Sequence, residues 1–187
     1  MTIEELTRRL KHDAESFNQN EPFASPMHQE QILLKDSFKE MLTVTLACGL
    51  AGEIINREKL ETLINSCFEK FPEILEYAKK DLVATVLRDP ACLGYLEPLL
   101  FFKGFQGLQA YRIAHALWKN NERFTAKMFQ SIISRKFGMD IHPAAQIGHG
   151  LLIDHATNIV IGETAVIGNN VSILHGVTLG GTGNECG

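Results

Sequence analysis

A hydrophobic beat of six residues near the C-terminal end most constrains what this 187-residue chain can fold into. Ile141, Ile147, Ile153, Ile159, Ala165, Val171 and Val177 carry the beat, and Ile161, Ile167, Ile173 and Leu179 repeat it two residues later. Six is neither the 3.6 of an α-helix nor the 2 of an isolated strand. It is the period of a parallel β-helix, whose short strands stack turn upon turn. Positions two apart are alternate residues of one strand, both facing inward. The polar residues between beats then fall on turns or the outer face. The beat has one irregularity. Up to Ile153 the partner position lies two residues N-terminal, at Ala145 and Leu151, whereas after Asn158 it lies two residues C-terminal. This predicts a two-residue slip of register inside DHATN, a turn insertion that pushes its polar residues out of the regular coil.

Upstream the periodicity is helical. Thr2 and Glu5 form a T-x-x-E capping box, and Ile3, Leu6, Leu10 and Phe17 follow at helical spacing. The stretch from Asn20 to Pro26 is a break, after which Ser25 and Pro26 predict the N-cap and first residue of a second helix running to about Gly49 or Gly52. Leu60, Leu63, Ile64, Cys67, Phe68 and Phe71 mark a third helix. Pro72 opens a fourth, which Asp89-Pro90 ends, because the residue before proline is driven out of α geometry. Phe105, Leu108, Ile113, Leu117 and Trp118 mark another, and Phe124, Met128, Ile132 and Ile133 mark the last before Gly138. Composition changes there, since ten of the 15 glycines lie from Gly138 onward. The expected fold class is therefore α+β, with an all-helical domain over residues 1–138 and a parallel β-helix over residues 139–187.

Charge follows the same division. All 18 Lys and Arg lie at or before Lys136, where they balance an equal number of acids. Asp140, Asp154, Glu163 and Glu185 give the remainder the whole net charge of −4. A basic nucleic-acid surface is not indicated by this balance. No apolar run reaches membrane-spanning length, and the charged start MTIEELTRRLKHDAE has no secretory core. Cys48, Cys67, Cys92 and Cys186 have no metal-type spacing, so reduced thiols in a cytoplasmic protein are expected.

Particular strings narrow the reading. The segment DIHPAAQIGHGLLIDHATNIVIGETAVIGNNVSILHGVTLGGTG resembles the hexapeptide-repeat acyltransferases, and within them the serine O-acetyltransferase family. RDPACLGYLEPLLFFKGFQGLQAYRIAHALW resembles that family's helical domain, so the likeness covers roughly residues 88–183. It implies a left-handed coil of about 18 residues per turn, of which fewer than three turns fit here. It implies transfer of acetyl from acetyl-CoA, as co-substrate, to the hydroxyl of L-serine, giving O-acetyl-L-serine for cysteine synthesis, with no metal. It implies trimers through the coil and pairs of trimers through the helical domain.

An alcohol is a weak nucleophile at neutral pH, so the reaction asks for a general base. By resemblance His155 is that base and Asp140 the carboxylate that orients it. Spacing alone makes His155 an outward-facing turn histidine and Asp140 a loop aspartate. Their separation of 15 residues is compatible with neighbouring levels of the coil. By resemblance Asp89 and Asp154 hold the substrate, whose ammonium wants a carboxylate. Asp89 is equally an Asp-Pro helix stop, and Asp154 a solvated turn acid. Gly180, Gly181 and Gly183 match the family's GGTG stretch, where backbone approaches the cofactor, or else form a plain loop. His142, His149 and His175 share the repeat region with His155, and a β-helix zinc site of the γ-carbonic anhydrase kind is the rival class. The surrounding strings favour the acetyltransferase, leaving these three as turn or surface residues. His115 and Trp118 are expected to pack on a helix.

The likeness ends where the chain does. The family's further coils, its downstream Asp-Arg-His segment and its tail that docks on O-acetylserine sulfhydrylase are absent, so a C-terminal truncation is expected. The coil also lacks any cation for the phosphates of coenzyme A. Three readings stay open: the active enzyme, an inactive assembly fragment of it, and a related hexapeptide acetyltransferase acting on another alcohol.

Overall fold

The computed structural model describes residues 1–52 and 55–181. Among the described residues eight α-helices precede seven short strands: α1 (Ile3–Asn20), α2 (Ser25–His28), α3 (Phe38–Leu50), α4 (Arg57–Lys70), α5 (Glu73–Arg88), α6 (Leu96–Phe101), α7 (Lys103–Lys119) and α8 (Arg123–Phe137), then β1 (Met139–Ile141), β2 (Gln146–Ile147), β3 (Leu152–Ile153), β4 (Ile159–Ile161), β5 (Val166–Ile167), β6 (Ser172–Ile173) and β7 (Thr178–Leu179). No helix among the described residues is long and apolar enough to cross a membrane.

The capping box at the start of α1 forms as expected, with Glu5 N–H donating to Thr2 Oγ1 at 3.1 Å and Thr2 N–H to Glu5 Oε2 at 2.8 Å. Leu6, Leu10 and Ala14 then line its buried face. The second helix departs from expectation. Ser25 does not cap it, and α2 runs only to His28 before a π-helical stretch, Gln29–Leu33, and a break. The helix restarts at Ser37, whose hydroxyl caps Glu40 N–H at 3.3 Å, while Glu40 reaches back to Asp36 N–H at 2.8 Å. This is an S-x-x-E capping signal, hidden inside a stretch whose flanking apolar residues read as continuous helix. The short α6 was also not expected. The Asp89-Pro90 stop holds, with Asp89 closing α5 in an extended conformation.

α7 is the central post of the helical region. It is buried along most of its length, from Gly104 to Leu117, which is why its apolar residues do not fall on a single stripe. α8 packs beside it and ends at Gly138, whose φ of +72° is the left-handed C-cap that glycine adopts without penalty. The chain leaves that cap directly into β1.

The strands form three parallel faces, β1-β4-β7, β2-β5 and β3-β6, which wind as a coil. Ile141, Ile147, Ile153, Ile161, Ile167 and Ile173 fill its interior. Full burial of such side chains contributes roughly 1.5–3 kcal/mol each. The register locates the slip. β4 pairs with β7 at an offset of 18 residues, as in Val160 with Thr178, whereas β1, β2 and β3 pair with β4, β5 and β6 at an offset of 20, as in Ile153 with Ile173. The two extra residues lie between Ile153 and Ile159, where DHATN predicted them. Ile153 therefore aligns with Ile173 and Ile141 with Ile161, so the unbroken run from Ile141 to Val177 joins two different strand positions across the insertion.

A candidate active site on the inserted turn

The insertion makes an unusual corner. His155, Ala156 and Asn158 all have positive φ, at 56°, 59° and 59°. Left-handed geometry costs a residue other than glycine about 1–2 kcal/mol. Two successive short hydrogen-bonded turns, Ala156 N–H to Asp154 O at 2.6 Å and Thr157 N–H to His155 O at 2.8 Å, hold the loop. Ala156 is turned inward and is 0% exposed. With its neighbour driven into the core, His155 is forced outward, its side chain 71% exposed.

Asp154 flanks it, with Oδ1 3.7 Å from His155 Nδ1. On the other side lies His175, ring centroids 5.7 Å apart, at the corresponding corner of the next turn. Asp140 stands on the outer face of β1 and is exposed, and its Oδ1 accepts from Gln130 Nε2 of α8 at 2.6 Å. Among the described residues Asp140 and His155 make no hydrogen bond to each other, and the carboxylate beside the imidazole is Asp154. Asp89 forms the expected turn, its Oδ1 accepting from Ala91 N–H at 2.9 Å. Gly180 and Gly181 are exposed beyond β7, and Gly183 lies outside the described residues. Among the described residues an ion-pair contact joins His155 and Asp154, and no hydrogen bond or ion pair joins Asp140, Asp89, Gly180 or Gly181 to them.

The other histidines divide. His149 packs on Tyr77, ring centroids 5.1 Å apart, and accepts from Lys80 Nζ at 3.2 Å. His142 is a turn residue but not a surface one: it packs edge-on against Trp118, and its Nδ1 accepts from Ala144 N–H at 3.1 Å. Burial, with Lys127 nearby, holds its pKa below the ordinary histidine value. His115 on α7 donates from Nδ1 to Pro143 O at 2.8 Å, and burial lowers its pKa also. Among the described residues no group of three or more His, Cys, Asp or Glu is placed to hold a metal ion.

What seats this coil on the helices was not legible as a site. The free edge of the first turn presents unpaired backbone groups, and side chains of α5 and α7 satisfy them. Tyr111 Oη donates to Ala145 O, and Arg112 Nη2 to Gly148 O at 2.7 Å. Asp81, 0% exposed, accepts from Leu151 N–H at 3.0 Å, from Gln109 Nε2 at 3.0 Å and from Arg112 Nη2 at 2.6 Å. The one available signal was charge on buried stripes: Asp81 sits among Ile74, Ala78, Leu82 and Thr85, and Arg112 between Leu108 and Ile113. The same region lends the coil cations that it lacks. Arg88 Nη1 reaches Ser172 Oγ at 3.3 Å, and Lys103 Nζ reaches Thr157 Oγ1 at 2.5 Å.

The site is thus a histidine thrust out on the inserted corner of a parallel β-helix that is seated on a helical base. Residues 6–110 match the family described as "Serine acetyltransferase, N-terminal". The chain is 43% identical to the serine acetyltransferase of Haemophilus influenzae over 187 residues, covering 100% of this chain and 70% of that one. It is 46% identical to serine acetyltransferase 1, chloroplastic, of Arabidopsis thaliana, covering 96% of this chain and 57% of that protein. Soybean serine acetyltransferase complexed with serine superposes with a TM-score of 0.95 at 42% identity, covering 99% of this chain and 76% of the other. A serine acetyltransferase in complex with CoA superposes with the same score and identity, covering 97% and 77%. The chain belongs to the serine acetyltransferase family, and its coil is that family's left-handed parallel β-helix. It spans roughly half to two thirds of the length of the first curated relatives it matches, 57% and 47% of two Arabidopsis proteins.

Proposed function

We propose that this chain transfers the acetyl group of acetyl-CoA to the hydroxyl of L-serine, giving O-acetyl-L-serine for cysteine synthesis in the cytoplasm. The observation that carries the reading is the inserted corner, which spends backbone strain to hold His155 in solvent beside Asp154. On this reading His155 takes the hydroxyl proton as the serine oxygen attacks the thioester carbonyl. The C–O bond forms, the C–S bond breaks, and the proton ends on the thiol of coenzyme A. Asp89 and Asp154 hold the serine ammonium. On this reading Gly180, Gly181 and Gly183 belong to the coenzyme A site, and Lys80 and Arg88 offer the positive charge its phosphates favour.

Asp140 is the orienting carboxylate in this scheme, released from Gln130 when the site is loaded. Asp154 is its competitor, because it already lies beside the ring. Residues 1–138 serve as the assembly domain, through which trimers built on the coil of residues 139–187 pair.

The test is release of free thiol from acetyl-CoA, with and without L-serine. Serine-dependent release supports the reading. Release that follows a sugar or another alcohol instead redirects it to a sister acetyltransferase. No release from a folded, self-associating chain makes it an assembly fragment. Asp140→Asn and Asp154→Asn then separate the two carboxylates: loss of kcat marks the orienting partner, and a rise in KM for serine marks the ammonium ligand.

A further inference from the structure

We propose that the first turn of α7 is a brace that sets the inserted corner, and that Lys103 and Gly104 are positioning residues for His155. The activity arm of the test below rests on the acetyltransferase reading; the brace itself does not.

Gly104 is buried with its Cα against the carbonyl of Ile153, the last strand residue before the corner. A Cβ at this position would lie 2.0 Å from that oxygen and 3.0 Å from its carbon. Both atoms are backbone, so neither can swing aside. Helix and strand meet here at a distance only glycine permits. One residue earlier, Lys103 Nζ donates to Thr157 Oγ1 at 2.5 Å, and that hydroxyl donates onward to His155 O at 3.3 Å. The helix therefore grips the corner on both sides of His155, at Ile153 before it and at Thr157 after it. A third tie runs to the next level of the coil, where Gly176 N–H donates to Thr157 O at 2.8 Å.

The corner needs such holding. His155 and Ala156 are consecutive left-handed residues, and neither is a glycine or an asparagine. Strained backbone of this kind persists only where the surroundings over-determine it. The corresponding corner one turn on, between Ile173 and Thr178, places a glycine, Gly176, in the left-handed region instead. A base misplaced by about 1 Å costs on the order of 100-fold in rate, so a loosened corner registers in kcat before it registers in the fold.

The test uses the full chain and three variants: Lys103→Met, which keeps the stem and loses the donor, Lys103→Arg, which restores a donor, and Gly104→Ala. Amide hydrogen exchange is read at Ala156 and Thr157, and kcat and KM for serine and acetyl-CoA are measured alongside. Lys103→Met is expected to speed exchange at those amides several-fold and to lower kcat roughly 3- to 10-fold with both KM values within about two-fold, and Lys103→Arg to recover most of the loss. Gly104→Ala is expected to give the same pattern with a kcat loss on the order of 100-fold. Unchanged exchange in Lys103→Met overturns the brace, and faster exchange with unchanged kcat overturns the positioning role for His155. If Gly104→Ala does not fold, the lysine pair decides. If the unaltered chain releases no serine-dependent thiol, the acetyltransferase reading fails, and the exchange measurement alone upholds or overturns the brace.

Discussion

The two described turns of the coil are built on one repeat yet differ in length, in what packs on them and in backbone strain. The first spans 20 residues and the second 18. The first lies against α5 and α7, its free edge closed by Tyr111, Arg112 and Asp81, and it carries His155 on a strained corner. The second keeps the regular period, and its outer face shows apolar residues such as Val166, 73% exposed. A hexapeptide repeat specifies a scaffold because every turn of it is alike. Chemistry needs a position unlike the others, and the proposed reading puts it where the period fails.

Four perturbations sharpen or break that contrast. The largest is Asp81→Ala. It leaves Arg112, only 4% exposed, without its carboxylate and Leu151 N–H without an acceptor. Loss of one partner of a buried pair costs about 3–5 kcal/mol, so chemical denaturation should report a loss of that order. Next come Ile153→Ala and Ile173→Ala, the same interior position one turn apart. Both should destabilise within the ~2–5 kcal/mol range of such truncations, Ile153 the more because α5 and α7 pack on its strand. Equal losses would remove the distinction between the turns.

The third perturbation is pH. Burial lowers the pKa of His28, His115 and His142 from the ordinary 6.5. A histidine depressed in the fold binds fewer protons than in the unfolded chain, so stability rises with pH through that window. The contribution is complete above 6.5 and is lost as pH falls toward the depressed values. The melting temperature should drop between pH 7 and pH 5, and His115→Gln should flatten the drop. The smallest effect is expected from Val166→Thr on the exposed second-turn face, a change within about 0.5 kcal/mol.

Much of the scaffold could be read in advance. The six-residue beat specified the coil, and the phase shift at DHATN located the insertion to within the residues that now carry positive φ. The helix from Ser25 to Gly49 could not be read correctly, because local capping at Ser37 overrode an apolar pattern that runs on through it. The clamp on the first turn stayed hidden for a different reason. Asp81 and Arg112 lie 31 positions apart, and only tertiary packing makes partners of them. His155 itself carried no local signal beyond its place in the insertion, and family strings were needed to single it out. The hydrogen bond from Gln130 of α8 to Asp140 was a matter of side-chain direction, which spacing does not encode.

The most direct test of the account compares the two corner histidines. His155 and His175 sit two residues beyond the paired Ile153 and Ile173, rings 5.7 Å apart, one on the inserted corner and one on the regular corner. Each is replaced by alanine, and serine-dependent release of coenzyme A is followed in both. With His155 as the base, His155→Ala should lose at least about 100-fold in kcat, the lower range for removal of a general base, while His175→Ala stays within a few-fold of the unaltered chain. Equal losses in the two variants, or activity surviving in His155→Ala, would contradict it.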